Sequence, residues 1–258
     1  MTTSIIEGAD AWQHEGDGPH GALVIHGFTG NPASMRGLAD AFAAAGFHVE
    51  MPRLPGHGTV LEDMVPTRWA DWAGEAEAAY QRVAARSDCV VVAGLSMGGT
   101  LTLRLGADHP EIAGLVCINP ATQPMGDDFT LAVTTMLGEG TEVMPALGND
   151  IADPDQRELA YEGAPTRALL SLMEDGLAPL AGELADIRVP LLLLTSPQDH
   201  VVDPAQSDVL AATYGGPVER VTLERSYHVA TQDFDRDLIF ERSVEFASRV
   251  TADEVTSR

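Results

Sequence analysis

Short aliphatic runs alternate along the chain with longer stretches in which apolar residues recur every three or four positions. The short runs predict strands buried on both faces, and the longer stretches predict amphipathic helices packed over them. The predicted strands are 21–26, 47–51, 88–93, 114–118, 190–195 and 218–223. The predicted helices are 33–45, 69–86, 97–108, 205–213 and 235–249. This alternation is typical of an α/β protein with a mostly parallel central sheet flanked by helices.

One interval interrupts the alternation. Residues 121–185 contain no β-branched strand run, are rich in Met, Leu and Gly, and predict only short helical pieces at 155–162 and 165–174. Loops of this length in a compact domain are usually functional. We therefore predict a core made of 1–120 and 186–258 and an insertion at 121–185. The pattern leaves two interpretations of the insertion open, a cap over a site or an extra packed helical layer.

Composition narrows the possible partners and the compartment. The net charge of −24 opposes binding to nucleic acid and to anionic membranes, and the absence of Lys excludes Schiff-base chemistry. The longest aliphatic run, 189–194, is too short to span a bilayer, and residues 1–18 lack the apolar core of a secretory signal. Cys89 and Cys117 lie in apolar stretches and are predicted to be buried. These features predict a cytoplasmic protein with no nucleic-acid partner and no integral membrane segment.

A candidate nucleophile follows the third predicted strand. Gly94-Leu95-Ser96-Met97-Gly98 comes directly after a buried aliphatic run and directly before a helix-forming stretch. A sharp strand-to-helix turn of this kind lifts a serine hydroxyl clear of the sheet, and the helix N-terminus favours negative charge beside it. Because a serine hydroxyl is a weak nucleophile at neutral pH, Ser96 needs a base to accept its proton.

The candidate base and acid follow later strands. Of the two histidines beyond the insertion, we prefer His228 to His200, because His228 lies in the loop between the last predicted strand and the last helix. Asp199 follows strand 190–195 and is the candidate acid that would orient the imidazole. Asp203 is the alternative acid, although the neighbouring Pro204 favours a role in capping the next helix.

A candidate oxyanion site ends the first predicted strand. His26-Gly27-Phe28-Thr29-Gly30 is a glycine-containing turn that can direct backbone amides towards a pocket. The N–H groups of Phe28 and Met97 are the predicted donors to the developing oxyanion.

With these residues in place, the chain resembles the bacterial monoacylglycerol lipases and related carboxylesterases of the α/β-hydrolase superfamily, over nearly its whole length. The motifs that carry the resemblance are 26–30, 52–58, 94–99, 198–202 and 226–231. The resemblance implies the α/β-hydrolase fold with a small helical cap, a serine nucleophile, and neither a metal nor an organic cofactor. It also implies that Glu158 recognises the polar glycerol end of the substrate. The cap residues expected to line an acyl-chain tunnel are Met125, Phe129, Met144 and Leu147.

These features favour hydrolysis of a monoacylglycerol or a similar medium- to long-chain monoester through an acyl-enzyme. Two alternatives remain open at this point. A thioesterase, amidase or C–C bond hydrolase would share every triad residue, and a non-catalytic ligand receptor could be built on the same fold.

Overall fold

A seven-stranded sheet runs through the middle of the computed structural model, which describes residues 3–146 and 149–257, with side chains described as far as residue 252. The strands in chain order are β1 (Trp12–His14), β2 (His20–Ile25), β3 (His48–Met51), β4 (Cys89–Leu95), β5 (Gly114–Ile118), β6 (Val143–Pro145), β7 (Gly163–Pro165), β8 (Leu191–Thr195) and β9 (Val218–Thr222). The large sheet has the order β1-β3-β2-β4-β5-β8-β9, while β6 and β7 form a separate antiparallel pair. Within the large sheet of the described residues, β1 runs antiparallel to β3, and the other neighbouring strands run parallel to each other. The mostly parallel sheet predicted from the sequence is confirmed.

Helices cover both faces of this sheet. They are α1 (Arg36–Ala44), α2 (Leu61–Met64), α3 (Trp69–Ala84), α4 (Met97–Asp108), α5 (Asp127–Gly138), α6 (Thr166–Ser171), α7 (Ala178–Glu183), α8 (Ala205–Thr213) and α9 (Arg236–Ser257). Helices α1 and α9 bury Phe42 and Phe246 on one face, and α3, α4 and α8 bury Trp72, Leu101 and Leu210 on the other. Successive strand residues point to opposite faces, so each strand contributes to both apolar clusters.

The six predicted strands of the core are observed, the strand at 114–118 with the predicted bounds and the others with ends within two residues of the prediction. The five helices predicted in the core are also observed, although the first begins as a short 3₁₀ turn, Pro32–Met35, and the last continues to Ser257 rather than ending at 249. The helix predicted at 155–162 is wrong, because that stretch is irregular. The sequence pattern did not predict β1, α2, α5 or the β6–β7 pair.

The long connection from β5 to β8 has two structurally different parts. Residues 121–165 include α5, β6 and β7 and are partly exposed over most of their length. Residues 166–186 include α6, a π-helical stretch, Leu172–Leu177, and α7. Leu172 and Met173 of the π-helical stretch and Leu180 of α7 join the core cluster beside α3. The first part therefore remains outside the core, whereas the second part packs into it.

Two further sequence-based expectations concern burial and membranes. Cys89 and Cys117 lie on the adjacent strands β4 and β5 and are both buried. Within residues 3–146 and 149–257, no helix is long and apolar enough to cross a membrane.

Candidate active site

Ser96 lies in the turn between β4 and α4, where the backbone has to reverse sharply. Its φ of 55° and ψ of −118° are sterically costly for a residue with a side chain. Glycines make the turn possible, because a Cβ on Gly94 would lie 2.1 Å from the carbonyl oxygen of Gly98, and a Cβ on Gly98 would lie 2.2 Å from that of Ile25. The turn holds Ser96 at the N-terminus of α4, above the carboxyl edge of the sheet.

His228 and Asp199 form a buried pair. Nδ1 of His228 lies 2.7 Å from Oδ2 of Asp199, and the two side chains are only 8% and 2% exposed. The other carboxylate oxygen of Asp199 accepts hydrogen bonds from the backbone N–H groups of Val201 and Val202, each at 2.8 Å. Because a carboxylate only accepts, the proton of a neutral His228 ring lies on Nδ1, which leaves Nε2 as the free basic nitrogen.

Ser96 and His228 line the same cavity. Among the described residues, the Ser96 hydroxyl makes no hydrogen bond to the His228 ring. Hydrogen bonds of this kind are often long in unliganded active sites and tighten when substrate binds. Ser96 and His228 thus face the same cavity without a hydrogen bond between their side chains in the described structure.

The predicted oxyanion loop packs directly against the serine. A Cβ on Gly27 would lie 3.3 Å from Cβ of Ser96 and 3.9 Å from its Oγ. Neither the amide of Phe28 nor that of Met97 has an acceptor among the backbone hydrogen bonds of the described residues. The predicted role of these two N–H groups as oxyanion donors stays a prediction.

Two buried histidines support this loop. His26 donates from Nδ1 to the carbonyl oxygen of Gly27 at 2.9 Å, and its Nε2 accepts from the N–H of Leu54 at 3.1 Å. Burial, aided by the neighbouring His57, lowers the pKa of His26 well below its usual range. Burial also lowers the pKa of His57 to about 4. Both rings are therefore neutral at neutral pH. His26 bonds to the loop directly, whereas His57 donates from Nδ1 to the carbonyl oxygen of Pro55 and packs against the His26 ring, with 5.0 Å between the ring centroids.

The cavity in front of Ser96 has a volume of about 150 Å³ and a mostly apolar lining. The predicted tunnel residues Met125, Phe129 and Met144 all line it, together with Leu169, whereas Leu147 lies outside the described residues. This lining suits an alkyl chain better than a polar ligand.

Glu158 is the acidic group in this lining. It is partly buried, and a Cβ on Gly30 would lie 2.8 Å from its Oε1, so the carboxyl group reaches over the oxyanion loop. Burial raises the pKa of Glu158 to about 7, while the nearby His228 opposes the rise. The carboxyl group therefore titrates near neutral pH, within the same cavity as the serine.

Sequence reasoning missed Asn119, which connects the acid and base loops. Its Nδ2 donates to Oγ of Ser196 at 3.0 Å and to the carbonyl oxygen of His228 at 2.9 Å, while its Oδ1 accepts from the N–H of Ser196 at 2.8 Å. Asn119 is buried and directly follows β5. A polar residue at the carboxyl end of a parallel strand is a recognisable sequence signal, and it applies to Asn119 as it does to Asp199.

Strained backbone conformations occur at the carboxyl edge of the sheet. Within the described part of the chain, the non-glycine residues with positive φ are Thr29, Ser96 and Asn119, at 61°, 55° and 43°. They follow the adjacent strands β2, β4 and β5. Strained backbone is typical of functional sites. In the same described residues, no group of three or more His, Cys, Asp or Glu side chains could hold a metal ion.

Comparison with known proteins agrees with this geometry. A family model described as "Serine aminopeptidase, S33" matches residues 19–235, a span that includes Ser96, Asp199 and His228. This chain belongs to that family. Among individual proteins, the chain is similar to the thermostable monoacylglycerol lipase of Bacillus sp. (strain H-257). The two sequences are 43% identical over 95% of this chain and 96% of the relative. The carboxylesterase of Bacillus subtilis (strain 168) is 25% identical over 90% of this chain and 94% of its own.

A solved structure reported for LipS and LipT, two metagenome-derived lipolytic enzymes, superimposes with a TM-score of 0.90. It is 38% identical in sequence and covers 95% of this chain and 100% of its own. The α/β-hydrolase fold implied by the sequence motifs is thus confirmed for this member of the serine aminopeptidase S33 family.

Proposed function

We propose that this protein is a carboxylic ester hydrolase acting on monoacylglycerols or similar medium- to long-chain monoesters. The observation that carries the proposal is the apolar cavity in front of Ser96, which His228 also lines while Asp199 holds its ring. The 43% identical relative from Bacillus sp. (strain H-257), named a monoacylglycerol lipase, supports the same substrate class.

In the proposed reaction, the Ser96 oxygen attacks the ester carbonyl while Nε2 of His228 takes the hydroxyl proton. Asp199 stabilises the imidazolium that forms, and the N–H groups of Phe28 and Met97 hold the oxyanion. The imidazolium then gives its proton to the departing alcohol, leaving Ser96 acylated. A water molecule, deprotonated by His228, releases the fatty acid by the reverse sequence.

We assign the two ends of the substrate to different parts of the cavity. The acyl chain would lie against Met125, Phe129 and Met144, because flexible apolar side chains adapt to a hydrocarbon chain. The carboxylate of Glu158 would accept hydrogen bonds from glycerol hydroxyls, and Leu147 is retained as a further candidate for acyl contact.

A cytoplasmic location and the lack of a nucleic-acid partner are also part of the proposal. A net charge of −24 opposes binding to polyanions, and both cysteines lie buried in neighbouring strands rather than in exposed loops.

The test combines active-site labelling with a substrate panel. We expect a fluorophosphonate probe to label the wild-type protein, and we expect Ser96→Ala to abolish labelling and lower kcat by about 10⁶-fold. Ser248→Ala, on the exposed side of α9, is the matched control and should keep both.

The panel compares a monoacylglycerol with its di- and triacyl analogues, an acyl thioester and an aminoacyl amide. Because the family model is described as a serine aminopeptidase, cleavage of a peptide bond is the main alternative reaction. The aminoacyl amide tests that alternative. We expect the highest kcat/KM for the monoacylglycerol. Preference for the amide or for the triacyl ester would contradict the proposal.

A further inference from the structure

Asp150 belongs to the 121–165 segment, yet it contacts both loops that carry the acid–base pair. Its Oδ2 accepts hydrogen bonds from the backbone N–H of His228 and from that of His200, each at 3.0 Å. Its Oδ1 lies 2.8 Å from Nδ1 of His200. Its backbone carbonyl accepts from the N–H of Val229 at 3.0 Å. One residue therefore holds four groups on two loops.

These contacts lie directly beside the catalytic pair. His200 follows Asp199 in the chain, and the N–H bonded to Asp150 at the other loop belongs to His228 itself. The carboxylate thus fixes the backbone on both sides of the 2.7 Å contact between His228 and Asp199. The side chain of Asp150 is only 12% exposed, so water competes little for these hydrogen bonds.

Asn119 fixes the same two loops from the sheet side, through Ser196 and the carbonyl oxygen of His228. The His228 backbone is therefore held at its carbonyl by the core and at its N–H by Asp150. Removing the Asp150 carboxylate would leave the N–H of His228 without its acceptor, while the carbonyl oxygen of His228 and the N–H of Tyr227, which bonds to Asp233 at 2.9 Å, would keep their partners.

We propose that Asp150 is a positioning residue for the triad, which aligns His228 with Asp199 and Ser96 through hydrogen bonds to the two loops. This inference rests on the proposed function, because it assigns the residue a part in that reaction. Its action is geometric: the carboxylate accepts backbone N–H groups and does not touch the substrate.

A geometric role predicts which substitution is tolerated. In Asp150→Asn, the amide oxygen can still accept both backbone N–H groups. The amide nitrogen then faces Nδ1 of His200, whose ring is 62% exposed and can accept in its other tautomer. Asp150→Ala loses every one of these side-chain contacts.

The experiment measures hydrolysis of 4-nitrophenyl butyrate, whose short acyl chain depends little on the 121–165 segment. We expect Asp150→Ala to lower kcat by about 10- to 100-fold with little change in KM, and Asp150→Asn to stay within about threefold of wild type. Asp153→Ala is the matched control, because Asp153 lies in the same segment with a side chain 14% exposed. Its carboxylate accepts from the N–H of Asp155 and lies 4.0 Å from Arg236, instead of bonding to the loops that carry Asp199 and His228. Asp153→Ala should keep wild-type kcat.

A second readout follows the geometry without turnover. The proton between His228 and Asp199 should give a far-downfield NMR resonance, identified by its loss in Asp199→Asn. We expect this resonance in wild type and Asp150→Asn, and its shift or loss in Asp150→Ala at a temperature where circular dichroism shows the variant folded.

The proposal is overturned by unchanged kcat and resonance in Asp150→Ala, by an equal fall of kcat in Asp153→Ala, or by an Asp150→Asn variant as slow as Asp150→Ala. A wild-type protein that hydrolyses no ester would instead defeat the proposed function. In that case, the resonance still decides whether Asp150 aligns the pair.

Discussion

The core sheet and the 121–165 segment meet at one cavity but are held together by different forces. In the core, β4 and β5 are buried along their whole length, and apolar packing on both faces fixes their position. Few of the described residues of the 121–165 segment are fully buried, and Val133 is the one buried residue of its helix α5. Hydrophobic burial stabilises the first region far more than the second.

The segment is instead attached by individual polar contacts. The Tyr161 hydroxyl donates to the carbonyl oxygen of Gly56 at 2.9 Å and accepts from the N–H of Thr59 at 3.0 Å. The buried carboxylate of Asp233 accepts from the N–H groups of Ala152 and Asp153 at 2.7 and 3.0 Å. A few hydrogen bonds can be lost locally without unfolding the core, so we infer that the nucleophile sits on the rigid region and the substrate-binding wall on the adaptable one.

Replacing a glycine by alanine should change stability very differently in the two regions. In Gly94→Ala the new Cβ would meet backbone atoms of Gly98, which have no room to move, so we expect a loss of about 4 kcal/mol or more in the free energy of unfolding. Gly138→Ala, at the end of α5, meets nothing within 4 Å and should raise helix stability by up to about 1 kcal/mol. Thermal unfolding of both variants tests the contrast. A Gly94→Ala protein with wild-type Tm would contradict it.

Replacing the acid should separate chemistry from stability. In Asp199→Asn the amide nitrogen cannot accept from Nδ1 of His228, so the ring takes the wrong tautomer, and we expect kcat to fall about 10⁴-fold. The control is Asp203→Asn, because the exposed Asp203 side chain accepts from the N–H of Ala205 at the start of α8 and makes no contact with His228. Steady-state kinetics should find that variant close to wild type, and an equal loss in both would reassign the acid.

The same contrast explains what the sequence could predict. The core strands are aliphatic runs bounded by turn residues, and the parallel arrangement brings their carboxyl ends to one edge. Ser96, Asp199 and His228 could therefore be selected by their positions after strands, although they are far apart in the chain. The hydrogen bond between His228 and Asp199 forms at that edge, between the loops that follow two neighbouring strands.

The 121–165 segment could not be predicted in this way. Residues 155–162 have helix-forming composition, yet their backbone groups bond to other parts of the chain: the N–H of Tyr161 to Thr29, the N–H of Glu158 to Asn149, and the carbonyl of Leu159 to Asn31. These tertiary partners replace the helical hydrogen bonds. Asp150 was missed for the same reason, because its partners at 200 and 228 leave no periodic signal.

Removing one polar contact that attaches the 121–165 segment to the core should lower stability by a smaller amount. Tyr161→Phe leaves the N–H of Thr59 without its acceptor, so we expect a cost of about 1–3 kcal/mol and a several-fold higher KM for a long-chain monoester, with kcat for a short ester nearly unchanged. Tyr80→Phe is the matched control, since its hydroxyl bonds to Glu111 at 3.1 Å, away from the cavity. Tyr80→Phe should change Tm but not KM. Equal KM values in the two variants would argue against a role for the segment in binding.

The smallest expected effect is the titration of Glu158. Its pKa in the folded protein is raised to about 7 by burial, from an ordinary value of 4.5, so the native state keeps a proton that the unfolded chain releases. Folding stability attributable to this group therefore falls as pH rises from 4.5 to 7 and stays low above that range. Glu158→Gln, which is always neutral, should raise Tm above pH 7 and match wild type near pH 4.5. Glu162→Gln, at an exposed position of the same segment, should match the Tm of wild type at both pH values.

The titration of Glu158 should also change the KM for substrates that carry a glycerol group. Above pH 7 the Glu158 carboxylate can accept two hydroxyl hydrogen bonds, so KM for a monoacylglycerol should fall by a few-fold as pH rises from 6 to 8, whereas KM for the methyl ester of the same acid should not. Glu158→Gln should remove this difference between the two substrates. If the two esters kept parallel pH profiles in wild type, Glu158 would lose its assigned role at the glycerol end, and the 121–165 segment would contribute only its apolar wall.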